Sequence, residues 1–293
     1  MCNGFEVADP DGGFYEMKQD VPHGNVLIKN YYAKSINQWR QIYVYTPPQY
    51  DKDTTTRYPV LYLQHGGGED QRVWIEMGRT NLILDNLLAE NKCKPFIVVM
   101  ETSAVGGAGG MRRGAAGGGR GEGAGAGRGA AAGARRGGFA GFGGMGGGQP
   151  GGAYGQLMVN DLIPWVDSNF RTLSDQPNRA MAGLSMGAMQ TRTVTLAFLD
   201  KFSHIGLFSG GTISMNDVEN TEGFKDKVKL VFVSYGSREI GGGSRRGGNP
   251  QESVDALKEA GINAAFYVSP LTAHEFQSWR RSLREYAMLL FQD

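Results

Sequence analysis

The feature that most constrains this 293-residue chain is Gly183-Leu184-Ser185-Met186-Gly187, a serine held between two glycines. Before it, Asn178 to Ala182 reads as a short buried strand. After it, Ala188 to Leu199 reads as a helix packed on a sheet, with Met189, Val194, Leu196, Ala197 and Phe198 as its apolar positions. A sharp strand-to-helix turn cramps the backbone at the serine, which is tolerable only if the residues two before and two after lack bulky side chains. The hydroxyl then stands clear of the sheet, at a helix N-terminus whose free N–H groups favour negative charge. By itself the three-residue pattern is weak, since a chain with 46 glycines supplies roughly a third of a match by chance. The flanking strand and helix single out Ser185 as the candidate nucleophile.

The alternation around this turn predicts an α/β architecture with a mostly parallel sheet. Val26 to Ala33 and Gln38 to Thr46 are β-rich runs separated by Lys34-Ser35-Ile36-Asn37, which predicts a hairpin at a sheet edge. Tyr58 to Gln64 and Phe96 to Met100 are continuous apolar runs of the kind buried on both faces, with a helix over Asn81 to Ala89 between them. Leu157, Leu162, Ile163, Trp165 and Val166 predict a helix from Tyr154 to about Asn169, bent near Pro164. Strands follow at about 203–209, 228–235 and 264–269, with helices over 252–260 and 276–290.

Charge and composition limit the partners. The formal charge is +1, from 30 Lys and Arg against 29 Asp and Glu, so the whole-chain balance points to neither a nucleic acid nor a membrane. Residues 106–152 differ in kind: they hold 24 of the 46 glycines, with six Arg and one acidic residue, so they carry +5 and the remainder −4. Such a tract cannot bury a core, so residues 104–153 read as a flexible insertion, and Gly241 to Gly248 as a second small Gly/Arg loop. The tract lacks the aromatic interleaving of single-strand binders apart from Phe139 and Phe142. Two cysteines, Cys2 and Cys93, argue against a disulfide framework. No stretch is apolar for long enough to span a bilayer, and the N-terminus has no basic and apolar leader. Residues 1–24, rich in Asp, Gly and Pro, read as a linker or the tail of an upstream module, with residues 25–293 as the folded domain. On that reading the native form is secreted or periplasmic, its signal or upstream module lying outside this chain; with Met1 as the native start it is cytoplasmic.

In open α/β sheets reactive groups gather beyond the carboxyl ends of the strands, and after a nucleophile elbow the partners follow in the order acid, then histidine. Only His204 and His274 lie downstream of Ser185. His204 starts its strand, at the wrong end of the sheet, whereas His274 falls in the loop after the last strand, where a general base reaches Ser185. The first carboxylate after the strand at 228–235 is Glu239, the candidate acid that would fix the histidine tautomer; Asp217 and Glu219 are weaker substitutes from the preceding loop. An oxyanion hole needs two backbone N–H donors. Met186 supplies one, and Gly67 in His65-Gly66-Gly67-Gly68 is the candidate for the other, with Gly66 and Gly68 as alternatives and His65 ordering the turn. Without a following Gly-Lys-Ser/Thr, these glycines do not read as a phosphate cradle. Trp74 and Trp279 are candidates to flank an aromatic acyl group, or else core or rim residues.

Five stretches together resemble the feruloyl esterase and acetyl xylan esterase group of carbohydrate esterases, which is itself similar to esterase D and the enterochelin esterases. They are Tyr43 to Pro48, Tyr58 to Gly68, Asp161 to Pro164, Arg179 to Gly187, and Ala273-His274-Glu275 with Ser278 to Leu283. The resemblance implies an α/β-hydrolase fold and release of hydroxycinnamic or acetic acid from feruloylated or acetylated plant cell-wall xylan. It implies Ser185, His274 and an acid at Glu239 as the machinery, with no metal or organic cofactor. Three departures stand out: glutamate where the group usually has aspartate, Ala188 for a second glycine after the elbow, and Phe276 for the usual tryptophan two residues after the histidine. The long Gly/Arg tract is foreign to the pattern, and its position after Met100 predicts a place near the substrate entrance. Rival readings are an acyltransferase or an esterase for another small ester, and a catalytically idle hydrolase fold used for binding.

Overall fold

The computed structural model describes residue 9 and residues 11–105, 149–240 and 249–292. An 8-stranded sheet runs in the order β1-β2-β4-β3-β5-β6-β7-β8. Its strands are β1 (Asn25–Ala33), β2 (Gln38–Thr46), β3 (Val60–Gln64), β4 (Ile97–Glu101), β5 (Arg179–Leu184), β6 (His204–Phe208), β7 (Leu230–Gly236) and β8 (Ala264–Ser269). β1–β2 and β2–β4 pair antiparallel, and every other pair is parallel. The helices among the described residues are α1 (Val73–Glu76), α2 (Thr80–Ala89), α3 (Gly152–Leu157), α4 (Ile163–Asn169), α5 (Met186–Ala197), α6 (Met215–Glu219), α7 (Phe224–Lys227), α8 (Ser237–Ile240), α9 (Pro250–Glu259) and α10 (Phe276–Leu289). None of them is long and apolar enough to cross a membrane.

The burial pattern explains the run of apolar residues in each central strand. Every residue of β3, β4, β5 and β6 is buried, because helices cover both faces of a parallel sheet. On one face Ile83 and Leu87 of α2, Leu283 and Tyr286 of α10, and Leu290 just after it pack against Leu61, Val98, Phe208 and Phe232. On the other, Leu157, Leu162 and Val166 meet Val60, Val99 and Met181, while Val254 and Leu257 of α9 meet Ile205 and Val231. Each such side chain withdraws enough apolar surface to contribute about 1.5–3 kcal/mol.

The structure departs from the sequence expectation at three places. Tyr58 does not join β3 but makes an isolated bridge to Thr172. The single bent helix expected over 154–169 is instead α3, a π-helical turn at Met158–Leu162, and α4. Pro164 lacks an N–H for the helical ladder and its ring crowds the preceding turn, and the wider turn just before it absorbs both. The described part of the expected linker, residues 11–24 with Asp9, is docked on the domain. Asn86 Nδ2 donates to the carbonyls of Phe14 and Glu16 (2.9 and 3.0 Å), Arg281 pairs with Asp9 at 2.8 Å, and Phe14 and Tyr15 pack on the apolar core. Asp85 holds the segment's end, accepting from Gly24 N at 3.0 Å and Tyr45 Oη at 2.7 Å. The anchors are largely carbonyls and single carboxylates, which composition does not reveal. The Gly/Arg tract over 106–148 and the loop Gly241 to Gly248 lie outside the described residues.

Buried polar groups tie the edge hairpin to the rest. The Asp161 carboxylate accepts from the Lys34 and Ser35 amides (2.9 and 3.2 Å) and from the Ser35 hydroxyl, capping the β1–β2 turn. Arg40 of β2 pairs with Glu101 at the end of β4 and donates to the carbonyls of Thr102 and Ala104, while Tyr31 Oη donates to Glu101 at 2.6 Å. Burial pushes the Glu101 carboxyl up against the opposing pull of Arg40 and Tyr31. Removing one partner of such a pair costs about 3–5 kcal/mol, because the other charge stays buried.

His204, at the amino end of β6, is also buried. Its Nε2 accepts from Phe291 N (3.4 Å) and its Nδ1 lies 2.7 Å from Ser203 Oγ, so it sits as the neutral ring. Burial, with a smaller push from Lys229, lowers its pKa from 6.5 to about 4. The unfolded chain therefore takes up a proton near 6.5 that the folded chain refuses until about 4, so stability falls as the pH drops through that window. Between pH 7.5 and pH 4 this site alone should remove about 3 kcal/mol. Urea titrations of wild type and His204→Gln across that range should show the wild type losing more than the variant by about this amount; equal losses would refute it.

Candidate active site

Ser185 lies between β5 and α5 with φ 52° and ψ −116°, a conformation that costs a non-glycine residue about 1–3 kcal/mol. Close backbone approach around it explains the glycines. A Cβ on Gly183 would stand 2.5 Å from the carbonyl of Gly187, and one on Gly187 would stand 2.4 Å from the His65 carbonyl. Gly210 also presses on the elbow, since a Cβ there would lie 2.2 Å from Ser185 O and 2.5 Å from the Ala188 methyl. The alanine that departs from the family pattern is thus accommodated by a glycine in the next loop. Ser185 N donates to Phe208 O at 2.8 Å, fixing the turn to β6.

The fold brings Ser185, His274 and Glu239 together from three loops at the carboxyl edge. His274 Nε2 lies 2.9 Å from Ser185 Oγ, and its Nδ1 lies 2.7 Å from Glu239 Oε1. Glu239 sits in α8, directly after β7, and its other oxygen accepts from Gly236 N at 2.6 Å and Ser209 Oγ at 2.8 Å. Burial alone would raise this carboxyl, but the bonds from His274, Gly236 and Ser209 outweigh it and hold the group below its ordinary range. It is therefore ionised, and an anion at Nδ1 leaves that nitrogen protonated and Nε2 free to accept from serine. The segments that carry Glu239 and His274 are tied to each other as well, through Arg238 N to Thr272 O and Leu271 N to Ser237 Oγ, each 2.9 Å. His204 and Asp217 lie elsewhere: Asp217 caps α6 through Ser214 and pairs with Arg192.

The glycine turn after β3 is held by its neighbours. His65 is buried, with Nδ1 2.7 Å from Gly66 O and Nε2 accepting from Ser103 N at 3.2 Å. Burial lowers its pKa, consistent with a neutral ring that orders the turn. Gly66 N donates to Glu69 Oε2 at 2.7 Å, so that amide is already engaged. Gly67 and Gly68 are exposed above it, and Met186 N is the first N–H of α5, a position without an intrahelical acceptor. Beside this turn a cavity of about 370 Å³ is lined by Glu69, Ser103, Val105, Tyr154, Met186 and Gln190, among others. Ala104, Gly151 and Gly152 also border it. Burial raises the Glu69 carboxyl, opposed by the Gly66 amide and the nearby His274.

The two tryptophans do not flank this cavity. Trp74 is 1% exposed, in the core beneath the turn, with Nε1 donating to Gln64 O at 2.8 Å. Trp279 is 5% exposed and stands edge-on to His274, ring centroids 5.0 Å apart, its Nε1 donating to Ser209 Oγ at 3.0 Å. Apolar rings between polar loops satisfy their own N–H groups before a ligand arrives. Phe276, the other family departure, fills the space between them at 6.1 Å from Trp74 and 5.0 Å from Trp279. Ser209 escaped the sequence reading; its signal was a Ser-Gly-Gly turn immediately after β6, at the same edge as the elbow.

Gly187 offers a test of sign. Helix propensity favours Gly→Ala by up to about 1 kcal/mol, whereas overpacking against the His65 carbonyl costs about 1–3 kcal/mol. Gly187→Ala should be less stable than wild type in urea denaturation; a gain in stability would contradict the close approach.

The chain matches the family described as putative esterase over residues 33–120 and 137–244. It is 36% identical over 296 residues to a protein of Xylanibacter ruminicola named endo-1,4-beta-xylanase/feruloyl esterase, an alignment covering 99% of this chain and 34% of that protein. It is 26% identical over 234 residues to an esterase of Mycobacterium tuberculosis, covering 75% of this chain and 41% of that one. The chain thus spans well under half the length of these curated relatives. Among solved structures it is similar to a CE1 ferulic acid esterase from Anaeromyces mucronatus in complex with ferulic acid, with a TM-score of 0.69, 16% identity, and 98% of each chain covered. It is similar also to a feruloyl esterase module from Clostridium thermocellum complexed with sinapinate, with a TM-score of 0.68, 20% identity, and 98% and 93% covered. These likenesses are of fold, and the fold is that of the α/β-hydrolases. With the family profile matched across most of its length, the chain belongs to the putative esterase family.

Proposed function

We propose that the protein is a serine carboxylic-ester hydrolase that releases hydroxycinnamic acids such as ferulate from plant cell-wall xylan. The observation that carries this reading is the continuous hydrogen-bonded line from Glu239 through His274 to Ser185, 2.7 and 2.9 Å long, at a strained elbow on a helix N-terminus. His274 Nε2 takes the proton from Ser185 Oγ as the oxygen attacks the ester carbonyl. Met186 N–H and Gly67 N–H receive the developing oxyanion, and the engaged Gly66 amide favours Gly67 or Gly68 as the second donor. The imidazolium, stabilised by Glu239, passes its proton to the departing sugar alkoxide, leaving an acyl-serine. Water then repeats the sequence, losing its proton to Nε2, and the acid leaves with Ser185 restored.

The cavity beside Met186 supports an acyl group larger than acetyl. At about 370 Å³ it lies in the range of small-molecule sites, with Val105, Tyr154 and Val194 for a ring and Glu69 and Gln190 as polar groups. The xylanase/feruloyl esterase name of the relative that aligns over nearly all of this chain supports the same substrate class, and with it a secreted or periplasmic place of action.

Ser185→Ala should fold normally and lose nearly all release of ferulate from methyl ferulate; residual turnover above a few per cent would sink the assignment. Glu239→Gln should cost about 10⁴ in kcat, because the amide selects the wrong tautomer; a loss below tenfold would point to another acid. A substrate panel of methyl ferulate, feruloylated arabinoxylan and p-nitrophenyl acetate separates a feruloyl from an acetyl esterase. Ser209→Ala removes a hydrogen bond to a charged group, a change of about 1.5–3 kcal/mol. It should lower kcat tenfold or more with KM unchanged, and an unaltered kcat would show that Ser209 does not orient the acid.

A further inference from the structure

Among the described residues the outer half of one face of the β1–β2 hairpin is largely exposed, and the side chains there form an ordered array. Cross-strand partners are Ile28 with Tyr43, Asn30 with Gln41, and Tyr32 with Trp39, all on the same face because alternate strand residues share one. The rung at the tip is aromatic: Trp39 is 73% exposed and Tyr32 39%, their ring centroids 5.4 Å apart at 66°. Tyr32 Oη donates to Asn37, which steadies the ring. The middle rung is a pair of amides, with Gln41 Nε2 donating to Asn30 Oδ1 at 3.4 Å, and Ile28, 56% exposed, closes the array.

The array lies at the active-site end of the sheet. β2 runs antiparallel to β4 with Ile42 opposite Glu101, the last residue of β4, so Trp39 extends three residues beyond the carboxyl edge. Through β4 and β3 the same level passes to Gly183 of β5, two residues before Ser185. Counted along the strands, Trp39 and Ser185 each lie two to three residues past that level, and β2 and β5 are three strand spacings, about 14 Å, apart in the sheet order.

We propose that this face is a second binding site, for the neutral polysaccharide chain that carries the ester. The inference rests on the reading of the substrate as an esterified polysaccharide. Its own basis is the chemistry of the five exposed side chains, none of which is charged, with Tyr43 half-buried against the core beneath them. Exposed aromatic faces carry negative potential and pack against the positively polarised C–H groups of a sugar ring, and paired amides offer donors and acceptors to ring hydroxyls. A phosphate backbone or an acidic surface would require basic groups that the array does not have. A single large exposed aromatic is ordinary, but an aligned, uncharged array at the rim of a catalytic edge marks a binding surface. A chain held on it extends along the carboxyl edge toward Ser185 and raises the local concentration of its own ester groups at the nucleophile.

The test uses the full chain and de-esterified arabinoxylan, so that its result is independent of hydrolysis. In native gels containing this polysaccharide the wild type should be retarded, and the double variant Trp39→Ala with Tyr32→Ala should lose at least tenfold in apparent affinity. The same variant should keep its methyl ferulate kinetics while KM rises severalfold on feruloylated arabinoxylan. Unchanged kinetics on methyl ferulate also certify its fold, and circular dichroism does so if ester hydrolysis proves absent. Lack of retardation in the wild type, or equal retardation in both, overturns the site whatever the fate of the esterase reading. A shift in oligomeric state of the variant on size exclusion, without loss of retardation, would identify the face as an interface between copies and likewise overturn it.

Discussion

The left-handed backbone at Ser185 is the constraint on which the rest of the site depends. A serine at φ 52° is sustained only by surroundings that leave it no alternative. Gly183, Gly187 and Gly210 supply them by letting the end of β3, the start of α5 and the loop after β6 approach to distances that no side chain permits. The bond from Ser185 N to Phe208 O closes the turn from the other side. Strain and close packing are thus two descriptions of one arrangement, and its product is a hydroxyl raised above the sheet at the start of α5.

From that point a polar line runs outward: Ser185, His274, Glu239, Ser209, Trp279. Each member fixes the orientation or charge of the one before it. The carboxylate is caught between burial, which favours its neutral form, and three donors, which favour its charged form, and the donors win. The glutamate carries one more methylene than the aspartate usual in the resembling group, and it reaches the histidine from a one-turn helix placed directly after β7. Trp279 serves this line from behind, with its ring edge-on to His274 and its N–H on Ser209.

The opposite side of the elbow is built from the antiparallel end of the sheet. Arg40 crosses from β2 to Glu101 and to the carbonyls of Thr102 and Ala104, so the segment that walls the cavity is clamped to the hairpin that bears Trp39. Asp161 secures the same hairpin to the π-helical turn. Two buried carboxylates, neither with a part in the proposed chemistry, thereby set the geometry of the rim.

Much of this was legible in the sequence because the signals are local. Central strands buried on both faces are apolar along most of their length, the elbow needs small residues two positions either side of its serine, and the expected histidine follows the last strand. Those rules locate Ser185, His274, Glu239 and the order of elements without knowledge of contacts. The roles of Trp74 and Trp279 were not legible, since an aromatic near a motif has the same sequence signature whether its ring faces a ligand or the core. Nor were Ser209, the docking of residues 11–24, or the array on the hairpin, because each depends on which distant segments meet. Sequence by itself determined the fold class, the elbow and the chain order in which Ser185, Glu239 and His274 follow their strands, all imposed by backbone sterics and strand burial. Tertiary structure alone decided which amide of the glycine turn is already engaged, which groups orient Glu239, and which aromatic side chains reach solvent, because those depend on distances between residues far apart in the chain.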